Sequence, residues 1–187
     1  MKAGLISSLI CLFLGLSFST VQSFELQTSM YKLENPKLGY YKLLMEVYLT
    51  EAETKDSFII FQSKYLTTNI LKAKAVDDLR NEIKTEIIVT EEGYFNVLVK
   101  PFLEKAQSIK VEIDIVNPNS FQVKGKRFSF NEEIIGEQLI TVILPQGYGL
   151  LESTGMAQLG DDGRVHVEQY LAPQEKFPFH LIAAKLE

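Results

Sequence analysis

Tryptophan is absent from this 187-residue chain, histidine occurs twice and cysteine once. The lone cysteine, Cys11, excludes an intrachain disulfide framework, so a secreted form must be held by its hydrophobic core. Two histidines, His166 and His180, leave little material for a nucleophilic relay. No Gly-x-Ser-x-Gly elbow is present, and Ser153, beside Glu152 and near Gly155, lacks the setting of a nucleophile turn. Gly147-Tyr148-Gly149 has neither the third glycine nor the following helix that a phosphate loop needs. Positive charge is not in excess either. Lys and Arg number 19 against 24 Asp and Glu, a formal net charge of -5. A dedicated nucleic-acid binder, which needs clustered positive charge, is excluded. What the chain does have is apolar and aromatic residues throughout, which excludes a disordered acidic tail.

The start of the chain stands apart. Met1 and Lys2 are followed by a nearly unbroken apolar run from Leu5 to Phe18. That run is shorter than the roughly 20 residues that span a bilayer as a helix, and it has the length of a signal-peptide core. Val21-Gln22-Ser23 then offers small or modest residues at the positions a signal peptidase reads. The expectation is a signal peptide over 1–23, with Ser19 as the other cleavage site and an uncleaved anchor as the alternative. Cys11 is preceded by Leu9 and Ile10 rather than by a small residue, so it reads as part of the apolar core and not as a lipidation site. The mature chain, 24–187, then has no cysteine, no membrane span, and the length of one domain.

Period two dominates that mature chain. In Ser108 to Val116, Ile109, Val111, Ile113 and Ile115 alternate with Ser108, Lys110, Glu112 and Asp114, which sets four branched side chains on one face of a strand. Tyr41 to Thr50 repeats this with Tyr41, Leu43, Met45, Val47 and Leu49. Ile83 to Thr90 sets Ile83, Thr85, Ile87 and Val89 on one face. Further strands are expected at Phe24 to Tyr31, Ser57 to Gln62, Leu66 to Ala75, Tyr94 to Val99, Leu139 to Leu144, Arg164 to Tyr170 and Phe179 to Lys185. Their turns have the right chemistry: Glu92-Gly93, Asn117-Pro118-Asn119, Lys124-Gly125-Lys126, Gly147-Tyr148-Gly149 and Asp161-Asp162-Gly163. Leu71 to Lys84 also fits a helix through Val76, Leu79 and Ile83, but flanking strand patterns favour a hairpin turning through Asp77 to Asn81. The expected fold is all-β: a single antiparallel β-sandwich, immunoglobulin-like or related, with a closed β-barrel as the alternative.

A resemblance enters in the C-terminal half. Tyr94-Phe95-Asn96-Val97-Leu98-Val99, the strand at Ser108 to Val116, Phe128-Ser129-Phe130, Leu144-Pro145-Gln146-Gly147-Tyr148 and Asp162-Gly163-Arg164-Val165 follow one another. This order resembles an uncharacterised group of secreted bacterial β-sandwich domains, in which a strand ending in Leu-Pro-x-Gly-Tyr precedes an Asp-Gly-Arg hairpin. Some of that group are similar to the N-terminal β domains placed ahead of membrane-associated aminopeptidase-like proteins. The resemblance covers about half of the mature chain and consists of turn-makers. It implies a fold and a compartment, but no catalytic residue, and the His-Glu-x-x-His motif of such peptidases is absent.

The remaining candidates are few. His166 and Glu168, two apart on a strand, share a face, and with His180 alongside they would offer a metal an imidazole–carboxylate–imidazole set. Ordinary solvated side chains opposite Val165 and Val167 explain them as well. Asp161 and Asp162 have calcium-binding chemistry, but an Asp-Gly hairpin accounts for them with no ion. Tyr148, between two glycines, either presents a ring to a ligand or folds back to cap the sandwich. Lys124, Lys126 and Arg127 read as a solvated hairpin tip rather than a contact for anionic surfaces. The sequence therefore points to no catalytic residue, no metal and no cofactor. It points to a secreted or periplasmic, non-catalytic module that binds a protein or envelope component, with Tyr148, Asp161 and Asp162 as candidate binding-loop residues. The alternatives are a barrel-like carrier of a hydrophobic ligand and a small metal-dependent hydrolase.

Overall fold

A computed structural model describes residues 25–48, 58–64, 67–100, 108–135, 138–172 and 176–187. The expected signal segment lies outside them, as do Leu49, Thr50 and Leu66. Among the described residues, no helix is long and apolar enough to cross a membrane.

Among the described residues the alternation seen in the sequence becomes fourteen strands. They are β1 (Glu25–Asn35), β2 (Tyr40–Tyr48), β3 (Phe58–Lys64), β4 (Asn69–Asp77), β5 (Glu82–Val89), β6 (Tyr94–Lys100) and β7 (Ser108–Val116). There follow β8 (Phe121–Lys124), β9 (Arg127–Ile135), β10 (Gln138–Ile143), β11 (Tyr148–Ser153), β12 (Met156–Leu159), β13 (Val165–Leu171) and β14 (Lys176–Lys185). A ten-stranded sheet runs β12-β13-β10-β1-β2-β7-β4-β5-β6-β3, and a four-stranded sheet runs β11-β14-β9-β8. Among the described residues neither closes into a barrel. The fold is an all-β sandwich, antiparallel except where β1 runs parallel to β10.

β7 spans the residues expected of it. Ile109, Val111, Ile113 and Ile115 are buried, and Tyr41, Leu43, Met45 and Val47 of β2 meet the same core. The four-stranded sheet contributes Phe121, Phe128, Phe130, Phe179 and Leu181. Phe130 is the hub. Its ring centroid lies 5.1 Å from Phe121, 5.8 Å from Tyr41, 5.9 Å from Tyr31 and 6.4 Å from Phe179. Edge-to-face and tilted pairs of this kind add about 0.5–1.5 kcal/mol each beyond burial.

The segment from Leu71 to Lys84 is a hairpin, not a helix. Asp77 is buried and accepts from the Asn81 backbone N–H at 2.7 Å and from Asn81 Nδ2 at 2.8 Å. Arg80 takes the left-handed conformation that closes the turn, with φ 66°. Leu79, an apolar anchor of the helical reading, is exposed. The ladder from β4 to β5 holds only two residue pairs, Ala75 with Ile83 and Val76 with Glu82. Beyond it β5 pairs with β6 from Lys84–Lys100 to Val89–Phe95. One expectation fails here. Of the face Ile83, Thr85, Ile87 and Val89, Ile83 is buried, but Ile87 and Val89 remain 39% and 52% exposed. The strand outruns the core that should cover it.

Candidate functional site

The hairpin from Gly160 to Arg164 is tied down by Asp162. Its Oδ1 accepts from the Arg164 backbone N–H at 3.1 Å, and its Oδ2 accepts from Arg164 Nε at 2.8 Å. The Arg164 backbone N–H is the main cause that holds this carboxyl below the usual aspartate range, and the Arg164 guanidinium adds to it. His166 Nε2 lies 3.1 Å from the same Oδ1. A Cβ on Gly160 would sit 2.5 Å from that imidazole nitrogen, so glycine makes the seat for His166. Asp162, Arg164 and His166 thus form one local cluster, while Asp161 points to solvent.

The sheets separate the other members of the metal-like set. Glu168 accepts from Gln158 Nε2 at 2.8 Å on β12. His166 and Glu168 alternate with the buried Val167, so they face outward from the large sheet. His180 alternates with the buried Phe179 and Leu181, so it faces outward from the small sheet, where its Nδ1 bonds Asn131. The two histidines therefore lie on opposite exteriors of the sandwich. Among the described residues no three His, Cys, Asp or Glu side chains are placed to hold one metal ion.

Tyr148 folds back. The turn Pro145 to Tyr148 closes with a 3.2 Å bond from Tyr148 N–H to Pro145 O, and Gly147 takes φ 78° at the position where a type II turn requires it. The Tyr148 ring then meets Phe128 edge-on at 5.2 Å and packs on the core. One concentration of side chains among the described residues has the shape of a site, and alternation missed it because its parts come from six strands.

That site is a trough of about 530 Å³ on the outer face of the large sheet, lined from β10, β1, β2, β7, β4 and β5. Ladder registers arrange it in two rows. Thr141, Met30, Leu44, Glu112 and Lys74 make one row, and Thr28, Glu46, Lys110, Val76 and Glu82 the other. Half-buried Met30, Leu44 and Val76 supply apolar floor. Charges above it are largely matched: Lys110 Nζ is 3.5 Å from Glu46, and Lys42, just outside the rows, is 3.0 Å from Glu112. The Lys42 bond is the main cause lowering the Glu112 pKa. The lining holds hydroxyls, amines and carboxylates, and no imidazole or thiol. Its volume lies in the range of small-ligand and side-chain pockets.

Comparison with known proteins bears on the fold. No protein-family model matches the sequence, and no curated protein does. Among solved structures the chain is similar to native leukotriene A4 hydrolase from Saccharomyces cerevisiae, with TM-score 0.53 and 11% identity over 87% of this chain and 28% of that one. A second structure of the native yeast enzyme gives TM-score 0.49 and 10% identity over 88% and 29% of the two chains. A "putative protease" from Parabacteroides distasonis gives 0.44 and 13% over 86% and 40%. The chain thus spans well under half the length of the structures it resembles. At such identity the likeness shows shared β architecture alone.

Proposed function

We propose that this chain is an exported, non-catalytic β-sandwich module that binds a protein or cell-envelope component through the trough on its large sheet. The observation that carries the reading is the trough itself. It joins an apolar floor to fixed charges of both signs on a sheet face whose strands are already paired on both sides. Such a surface recognises by side-chain fit rather than by strand addition. The signal-like start and the Leu144 to Tyr148 and Asp162 to Val165 motifs support a secreted or periplasmic setting. The reactive groups the sequence offers support a non-enzymatic role, since Asp162 is engaged by Arg164 and His180 by Asn131.

The test is affinity capture from envelope extracts with the native chain and with Leu44→Glu as baits. Leu44 lies in the floor and is only half-buried, so the variant should keep the fold. Components held by the native chain and lost by Leu44→Glu support the reading. Identical capture by both baits would overturn it. The apolar floor also favours a second reading, a carrier of a hydrophobic ligand, which would have to occupy this open trough because the fold encloses no barrel. Solvent extraction of purified protein, followed by mass spectrometry, distinguishes the two.

A further inference from the structure

Among the described residues the two sheets have four outer strands, and three of them are protected against pairing with another chain. β3 carries a bulge between Ile59 and Phe61 and a terminal Lys64. β11 carries a bulge between Leu150 and Glu152 and the charge of Glu152. β8 ends in Lys124 and runs into Lys126 and Arg127. Bulges and edge charges are the usual devices against edge-to-edge association.

β12 has none of them. Its sequence is Met-Ala-Gln-Leu, its register with β13 is unbroken, and all four residues are exposed. Met156 at 81% and Leu159 at 75% are the two most exposed large hydrophobic side chains described. An uncharged, regular edge with exposed apolar side chains is a template for an added strand.

The geometry points to a second copy of this chain as that strand, with β12 pairing antiparallel to β12 about a two-fold axis through Gln158. The register follows from the faces. Ala157 and Leu159 pair with Val167 and Val165 and so face inward, while Met156 and Gln158 pair with Glu168 and His166 and face outward. Residues opposite one another across a ladder share a face. An axis at Gln158 sets Leu159 of each copy against Ala157 of the other, apolar on apolar, and brings no charge opposite a like charge. An axis at Ala157 would leave Leu159 facing Gly155. The pairing is isologous, so it closes as a dimer, and it sets both troughs on one face of a continuous sheet. The inference is independent of what the troughs bind.

The chain's own composition makes the test clean, because Cys11 is its single cysteine. In a Cys11→Ser background, Gln158→Cys should form an intermolecular disulfide under mild oxidation. Leu159→Cys should not, since its counterpart lies two residues away along the ladder, beyond the roughly 7 Å reach of a disulfide. Sedimentation velocity over a concentration series should show a dimer of the native chain. The double variant Met156→Lys, Leu159→Lys should lose the dimer while keeping its circular dichroism and melting temperature. A monomer at every concentration, a dimer indifferent to the two lysines, or cross-linking through Ala157→Cys in place of Gln158→Cys would each overturn the proposal.

Discussion

The sandwich is built differently at its two ends. Where the four-stranded sheet covers β1 and β2, the core is a mesh of rings centred on Phe130, and β14 and β9 pair without interruption from Lys176–Ile135 to Ala184–Arg127. At the other end, β5, β6 and β3 bury Ile60, Ile83, Phe95, Val97 and Val99 but leave Ile59, Ile87, Ile88 and Val89 substantially exposed. That end joins the rest of the large sheet through two residue pairs. Burial of comparable aliphatic and aromatic residues thus yields unequal security, because ladder continuity and cover differ. The polar content differs too. The ring mesh borders a carboxylate, Glu132, which accepts from Tyr41 Oη at 3.0 Å and from Ser120 Oγ. Burial pushes its carboxyl up and, chiefly through desolvation, pushes the Tyr31 phenol up as well.

The comparison can be broken in graded steps. Phe130→Ala should cost about 3–5 kcal/mol in urea unfolding, the range for a buried aromatic whose cavity cannot collapse. Ile113→Asp, on the strand common to both ends, should also cost several kcal/mol, roughly 3–5, by burying an unpaired charge. Val97→Ala at the β5–β6–β3 end should cost about 2 kcal/mol. A Val97 effect equal to that of Phe130 would erase the contrast.

The acid at the aromatic end sharpens the comparison through pH. The folded pKa of Glu132 is raised, so the stability linked to it is complete below the unfolded carboxyl pKa. It is lost as pH rises through the raised folded value. Glu132→Gln should flatten the pH dependence of stability across that window, and a slope unchanged by the substitution would show that other groups set it. Native-state hydrogen exchange should find the amides of β5, β6 and β3 opening before those of β9 and β14. The smallest effects belong to surface positions. Ile88→Thr should change stability by less than about 0.5 kcal/mol, and Glu112→Ala, which breaks the Lys42 pair, by less than about 1 kcal/mol.

How far the sequence revealed all this depends on what each strand touches. β2 and β7 were legible because one face of each meets the core along its whole length, so alternation and burial coincide. The Asp77 to Asn81 turn was legible from its polar run against the helical rival. β8, β11 and β12 were not, since edge strands of four to six residues are too short to show a period. In β5 the alternation was present, but whether Ile87 and Val89 are covered depends on a neighbour distant in the chain. The parallel pairing of β1 with β10 leaves no local mark at all. Among the candidate residues, turn chemistry explained Asp162 and Gly147, the glycine that precedes Tyr148. The trough was invisible because Met30, Leu44 and Val76 belong to three strands, each apolar on a face that reads as the solvent side.

The place of β1 governs when the fold can be completed. It lies between β2, its immediate successor, and β10, and its buried Ser29 hydroxyl bonds Gln138, 109 residues further along. The first described strand is therefore an interior strand of the large sheet, with half of its ladder supplied by the last third of the chain. Closure of that ladder waits until residue 143 is made, and the long loop it must close makes that step slow. Sequence order, and not only core strength, thereby sets the interval during which the chain remains open and available to chaperones.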